Sequence, residues 1–183
     1  MLAGYGPAPD PDGTDADLAV LEEMKARELT TDDRVWAERL VSERFASYRI
    51  VSRGVLHDAR ALPGLIAESE GAPVGLLQYR VAGEQFEVVV LIAVPPRRGV
   101  GRFLLREVEP IARSHGCKRL WLITTNDNAA AIAFYRAIGW HQAAVHRGAM
   151  RASRRLKPEI PELASDGTPI EDEIEFELLL EAD

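Results

Sequence analysis

The chain has a single cysteine, Cys117, among its 183 residues. It can form no disulfide within itself, and no CxxC pair or Cys/His cluster offers the spacing of a zinc site. Basic residues are in deficit, 22 Lys and Arg against 29 Asp and Glu, for a net charge of −7. An acidic chain repels phosphate backbones, which argues against general nucleic-acid binding. Apolar residues make up 46%, yet no apolar run approaches the roughly 20 residues of a membrane span. The N-terminus lacks the basic-then-apolar order of a signal peptide. The expectation from these absences is a cytoplasmic protein with no metal, no membrane contact and no nucleic-acid partner.

The charge is segregated. Residues 1–23 carry six acids and no Lys or Arg, and nothing after Lys157 is basic. The cations lie in the middle, where an anionic ligand can find a local site. Residues 1–17 are rich in Gly, Pro and Asp, a composition that predicts a disordered tail. Residues 18–183 then form one domain, a length that suits a single core.

Strand and helix patterns alternate through that domain. Lys25 to Leu29 reads as a short strand. Thr30 or Thr31 opens a helix whose apolar face is Val35, Trp36, Leu40, Val41 and Phe45. Gly54, between Ile50-Val51 and Val55-Leu56, suggests a hairpin or loop. Leu65 to Ala67 and Val74 to Val81 are strands. The continuous run Phe86 to Val94 reads as a central strand buried on both faces. A helix spans Gly101 or Arg102 to Ser114 or His115, with Pro110 inside it. Arg119 to Thr125 is a strand, Ala129 to Ile138 a helix apolar nearly all round, and Trp140 to Val145 a strand. In the last strand Ile174, Phe176, Leu178 and Leu180 alternate with Glu173, Glu175 and Glu177, which predicts one buried and one wet face. The class is α/β (α+β): a mixed, mostly antiparallel central sheet flanked by helices.

Two segments carry chemistry. In the first, a buried strand runs through Val94-Pro95-Pro96-Arg97-Arg98-Gly99-Val100-Gly101-Arg102 into a helix. Backbone N–H groups at such a helix start carry partial positive charge, and the glycines allow close approach of a phosphate or pyrophosphate. The dinucleotide fingerprint would need a third glycine at Leu104, and the P-loop a Gly-Lys-Ser/Thr ending; neither is present. In the second segment, Asn126-Asp127-Asn128 ends a strand and precedes a helix carrying Ala131, Phe134 and Tyr135, closed by Gly139-Trp140.

Together, over about residues 24–145, these segments resemble the GNAT superfamily of acyl-CoA-dependent N-acetyltransferases. The resemblance implies acetyl-CoA as co-substrate and a primary amine, on a small molecule or a protein, as acceptor. It implies that the amides of Arg98 to Arg102 (Arg98, Gly99, Val100, Gly101 and Arg102), with Arg97, hold the pyrophosphate. Ile92, Ala93 and Val94 would pair with the pantetheine arm, and Asn128 would touch the cofactor. Tyr135 would protonate the leaving thiolate, and Glu87 resembles the glutamate that some members use as base, directly or through water. Pro95 and Pro96 depart from the family pattern, which has Gln or Arg three residues before the first turn glycine. A non-catalytic acyl-CoA sensor and a nucleotide-binding domain are the rival readings, and a homodimer is an open option for assembly.

Three further features need a place in the structure. His57, His141 and His146 have no supporting motif, although His57-Asp58 lies near a loop. Arg147, Arg151, Arg154 and Arg155 fall on one helical face, suited either to an anion or to a solvated surface. Cys117 follows Gly116 at a helix end and reads as a small buried hydrophobe.

Overall fold

The computed structural model describes residues 24–94, 96 and 99–180; the tail expected over residues 1–17 lies outside them. The strands are β1 (Lys25–Glu28), β2 (Arg49–Ser52), β3 (Val55–Asp58), β4 (Gly64–Ser69), β5 (Ala72–Ala82), β6 (Gln85–Ala93), β7 (Arg119–Thr125), β8 (His141–His146) and β9 (Glu173–Leu179). The helices are α1 (Arg34–Phe45), α2 (Val100–Ser114), α3 (Ala129–Ala137) and α4 (Ala149–Leu156). Seven strands form one sheet in the order β1-β4-β5-β6-β7-β9-β8, and β2 and β3 pair as a separate hairpin. The large sheet is mixed and mostly antiparallel, as expected, and among the described residues its one parallel contact is β6 with β7. No described helix is long and apolar enough to cross a membrane.

Thr30 starts the first helical segment: its backbone N–H and its hydroxyl both donate to Asp33 Oδ2, at 2.9 and 2.7 Å. A short 3₁₀ turn (Thr31–Asp33) then runs into α1. The i,i+4 pairs Ala37/Val41 and Trp36/Leu40, with Phe45, lay α1 on the sheet. Val35 falls outside that stripe and is 82% exposed, contrary to the expected face.

Strand β6 organises the core through a bulge. Gln78 pairs with Val90 and Tyr79 with Val88, so Val89 is an extra residue. Before it, Phe86 and Val88 join the cluster packed under α2 and α3. After it, Val90 and Ile92 join the cluster under α1 instead, with Val89 beside them, while Leu91 and Ala93 turn towards α2. A bulged strand buried on both faces reads as an unbroken apolar run, and that is how this segment looks in the sequence.

Helix α2 sits close on β5 because Gly75 has no side chain. A Cβ there would lie 2.4 Å from Val100 Cγ1 and 3.2 Å from Ile92 O. Pro110 is accommodated within α2. Helix α3 is not buried all round: Ala131, Phe134 and Tyr135 face the core, while Ala129, Ala130, Ala133, Arg136 and Ala137 are exposed. Its alanines allow tight helix packing without requiring burial. Cys117 is buried, as expected.

The wet face predicted for β9 is not wet. Glu173 and Glu175 are 1% and 4% exposed. The β2–β3 hairpin covers them, its Arg53 donating a backbone N–H to Glu173 Oε2 at 3.1 Å. Strict alternation signals two environments for a strand, and here the polar one is a buried polar cluster.

Candidate active site

Parallel pairing between β6 and β7 covers only Gln85–Glu87 against Arg119–Trp121. Both strands continue, β6 to Ala93 and β7 to Thr125, without further pairing to each other. The sheet therefore opens into a cleft. Val88, Val89, Leu91, Ile92 and Ala93 line one side, Leu122 to Thr125 the other, with Gly101, Asn128, Ala131 and Tyr135 beyond. The same cleft is lined by Ile50, Val51, Ser52, Met150 and Glu173 from the hairpin face. It thus reaches both faces of the sheet.

The free edge of β6 has a definite pattern. Val94 N–H donates to Val74 O at 2.7 Å, towards β5. Backbone groups alternate sides along a strand, so those of Ile92 also face β5, and those of Leu91 and Ala93 face the cleft. Of the three residues expected to pair with a pantetheine arm, Ala93 offers its backbone, Ile92 lines the cleft with its backbone turned to β5, and Val94 has its amide engaged.

At the mouth stands the start of α2. Its N-cap, Gly99, is left-handed at φ 71° and gives no side-chain cap, and no acid lies in the first turn. The first amides of a helix lack intrahelical acceptors, so Val100, Gly101 and Arg102 present donors that an anion can take. Gly101 lines the cleft. Arg97 and Arg98, expected beside them, lie outside the described residues, as does Pro95.

Tyr135 is 8% exposed and packs against Phe134, Trp140 and Phe176, with ring centroids 5.1, 5.9 and 5.4 Å away. Burial holds its hydroxyl well above the ordinary tyrosine range, so it keeps its proton. Asn128 lines the cleft too, and its side-chain oxygen caps α3 by accepting from Ala131 N at 3.1 Å. That structural duty explains an asparagine here before any ligand contact is invoked.

Glu87 is 4% exposed, on the hairpin face, and is not part of the cleft wall. His57 Nε2 lies 3.6 Å from its Oε1, and Arg80 Nη1 3.9 Å from its Oε2. Burial pushes the Glu87 carboxyl up, opposed by the Ser52 hydroxyl and by Arg80 and Arg53. Burial, with Arg80, pushes His57 down, which favours the neutral imidazole. His57 is thus the one histidine that the fold brings to a candidate catalytic group; its pairing across 30 residues has no sequence signature. Ser52, beside Glu87, does line the cleft.

His146 serves Glu175: its Nε2 lies 2.7 Å from Oε2, Arg119 bonds Oε1, and Arg53 Nε is 3.5 Å from Oε2. Burial raises the Glu175 carboxyl, but the His146 and Arg119 hydrogen bonds outweigh it and hold it below the usual range. His141 is exposed. The basic segment is divided. Arg147, Arg151 and Arg155 are exposed, whereas Arg154 donates to the carbonyls of Ile160, Pro161 and Ile170 at 3.3, 2.6 and 2.6 Å. Lys157 is 2% exposed, donates to Phe45 O at 2.7 Å, and is lowered by burial to about 8.

The strand order and the opening between two parallel strands set the class: this is an N-acetyltransferase fold. The structure of a GNAT family acetyltransferase from Elizabethkingia anophelis with acetyl-CoA bound superposes with a TM-score of 0.62, at 16% identity, covering 87% of this chain and 99% of that one. The chain belongs to the acetyltransferase (GNAT) family, whose model matches residues 19–140. It is 38% identical over 151 residues to the uncharacterised protein YdhI of Bacillus subtilis, covering 79% of this chain and 94% of that one. It is also 32% identical over 85 residues to the streptothricin acetyltransferase of Streptomyces lavendulae, 45% of each chain.

Proposed function

We propose that this protein transfers an acetyl group from acetyl-CoA to a primary amine. The observation that carries the reading is the cleft between β6 and β7, with an uncapped helix start at its mouth and Tyr135 on its wall. Bound there, acetyl-CoA supplies a thioester whose carbonyl carbon accepts an amine nitrogen. The amides of Val100, Gly101 and Arg102, with Arg97, Arg98 and Gly99 before them, are suited to the pyrophosphate. The exposed backbone edge at Leu91 and Ala93 is suited to the amide-bearing pantetheine arm. Asn128 stands at the same wall.

Tyr135 is the acid. The carbon–sulfur bond breaks as the new carbon–nitrogen bond forms, and the departing thiolate takes the phenolic proton. A hydroxyl that stays protonated at neutral pH is suited to that step. Glu87 is the base. It does not line the cleft, whereas Ser52 beside it does, so the amine proton travels by way of the Ser52 hydroxyl or a water. A carboxyl raised by burial holds that proton better than a solvated one.

The test is a thermal-shift titration with acetyl-CoA, CoA, ATP and NAD in parallel. Ligand at about 100 times Kd stabilises by roughly 2.7 kcal/mol. Acetyl-CoA and CoA are expected to raise the melting temperature while ATP and NAD do not, and a screen of amines for thiol release follows. Stabilisation by ATP or NAD alone would transfer the helix start to a nucleotide.

A further inference from the structure

Two carboxylates two residues apart on β9 face the same side of the sheet, both buried, with opposite treatment. Glu175 has three cationic neighbours: Arg119, His146 and Arg53. Glu173 has neutral donors alone among the described residues, Ser153 Oγ at 2.9 Å on Oε1 and Arg53 N at 3.1 Å on Oε2. Removing a carboxylate from water is costly unless a positive charge accompanies it. Burial without a cation is tolerated in the folded chain where a ligand brings one, and Glu173 lines the cleft.

A second observation is independent of charge. Thr125 Oγ1 is buried without a hydrogen-bond partner, Ser52 Oγ is buried with only the Glu87 carboxyl beside it, and both residues line the same cleft. Ser52 is 6% exposed and Thr125 2%. Thr125 is the register partner of Glu173 across β7 and β9, so the two side chains share a face. Buried hydroxyls are nearly always paired, and an unpaired one at a cleft wall marks where a ligand atom goes.

Resting on the acetyl-transfer reading, we propose that Glu173, Thr125 and Ser52 form the acceptor pocket and select a primary ammonium by charge and by its N–H donors. An alkylammonium has three N–H donors and no acceptor. One carboxylate and two hydroxyl oxygens supply three acceptors for it. Glu173 supplies the missing countercharge, and the ammonium supplies the missing cation. After docking, one N–H proton passes through Ser52 towards Glu87, which frees the nitrogen lone pair for attack; a second leaves the nitrogen as the amide forms and restores the Tyr135 phenol that protonated the thiolate. The acceptor is therefore an amine that arrives charged, and Ile50, Val51 and Met150 give its stem an apolar lining.

The experiment is an NMR titration of the full chain with n-butylammonium and with n-butanol, in the presence and absence of CoA. The wild type is expected to bind the ammonium in preference to the alcohol, with shifts at Ser52, Thr125 and Glu173. Glu173→Gln keeps the shape and removes the charge, and should weaken the ammonium about tenfold or more while leaving CoA affinity unchanged. Thr125→Val and Ser52→Ala each should weaken it severalfold, and they decide the matter if Glu173→Gln does not fold. No preference for the ammonium in the wild type, or a preference that survives these substitutions, overturns the pocket. A Glu173-dependent preference without any CoA binding would uphold the pocket and remove acetyl-CoA from the proposed function.

Discussion

Glu87 gives a case where one carboxyl has opposite effects on stability and on chemistry. Its ordinary value is 4.5, and burial raises it in the folded chain. Below 4.5 both folded and unfolded chains hold the proton, and the group costs nothing. As pH rises past that value the unfolded chain releases its proton first, so stability falls until the folded value is passed. Glu87→Gln should therefore melt higher than the wild type at pH 7, with the difference shrinking towards zero below pH 4.5. Equal melting temperatures across that range would remove the desolvation argument. The same substitution should slow acetyl transfer, since the base is gone. Tyr135→Phe belongs to this scale too. The ring keeps its contacts with Phe134, Trp140 and Phe176, so acetyl-CoA affinity should hold while kcat falls about 100-fold. An unchanged kcat would leave Tyr135 as a core aromatic.

Among the elements, the segment between α4 and β9 is held by a small number of polar clasps. Arg154 gathers three carbonyls from that segment, and Asn126 Oδ1 accepts from Glu171 and Asp172 N at 2.9 Å each. Arg154→Ala should cost about 1.5–3 kcal/mol. The loss should appear as faster amide exchange over residues 157–172, with β4 to β6 unaffected; uniform loosening of the whole chain would mean that the clasp is not local. This role explains part of the cation cluster that the sequence presents as a helical face. The limits of legibility have the same cause throughout. The Gly99–Gly101 turn and the Asn128–Tyr135 helix are local patterns, and the structure places both at the cleft. The bulge at Val89 leaves no mark in a run of apolar residues. The burial of Glu173 depends on a hairpin residue 120 positions away, a distance over which alternation carries no information.

Across the whole molecule, the two halves of the sheet meet through a short parallel contact at Gln85–Glu87 and then part. Everything beyond that contact on the β6 edge, the backbone of Leu91 and Ala93 above all, lacks a strand partner on the β7 side. A ligand arm with amide groups laid in the gap would complete that edge. Acetyl-CoA should therefore slow amide exchange at Leu91 and Ala93, while Ile92 and Val94, whose amides face β5, change little. Alternation makes this a sharp test, because a general stiffening of the fold would protect all four residues together. Protection of Leu91 and Ala93 alone would place the arm in the cleft and join the two half-sheets through the ligand. If thermal shifts show that acetyl-CoA binds and these two amides exchange as before, the arm lies along another surface, and the roles of Tyr135 and Glu87 fall with the cleft.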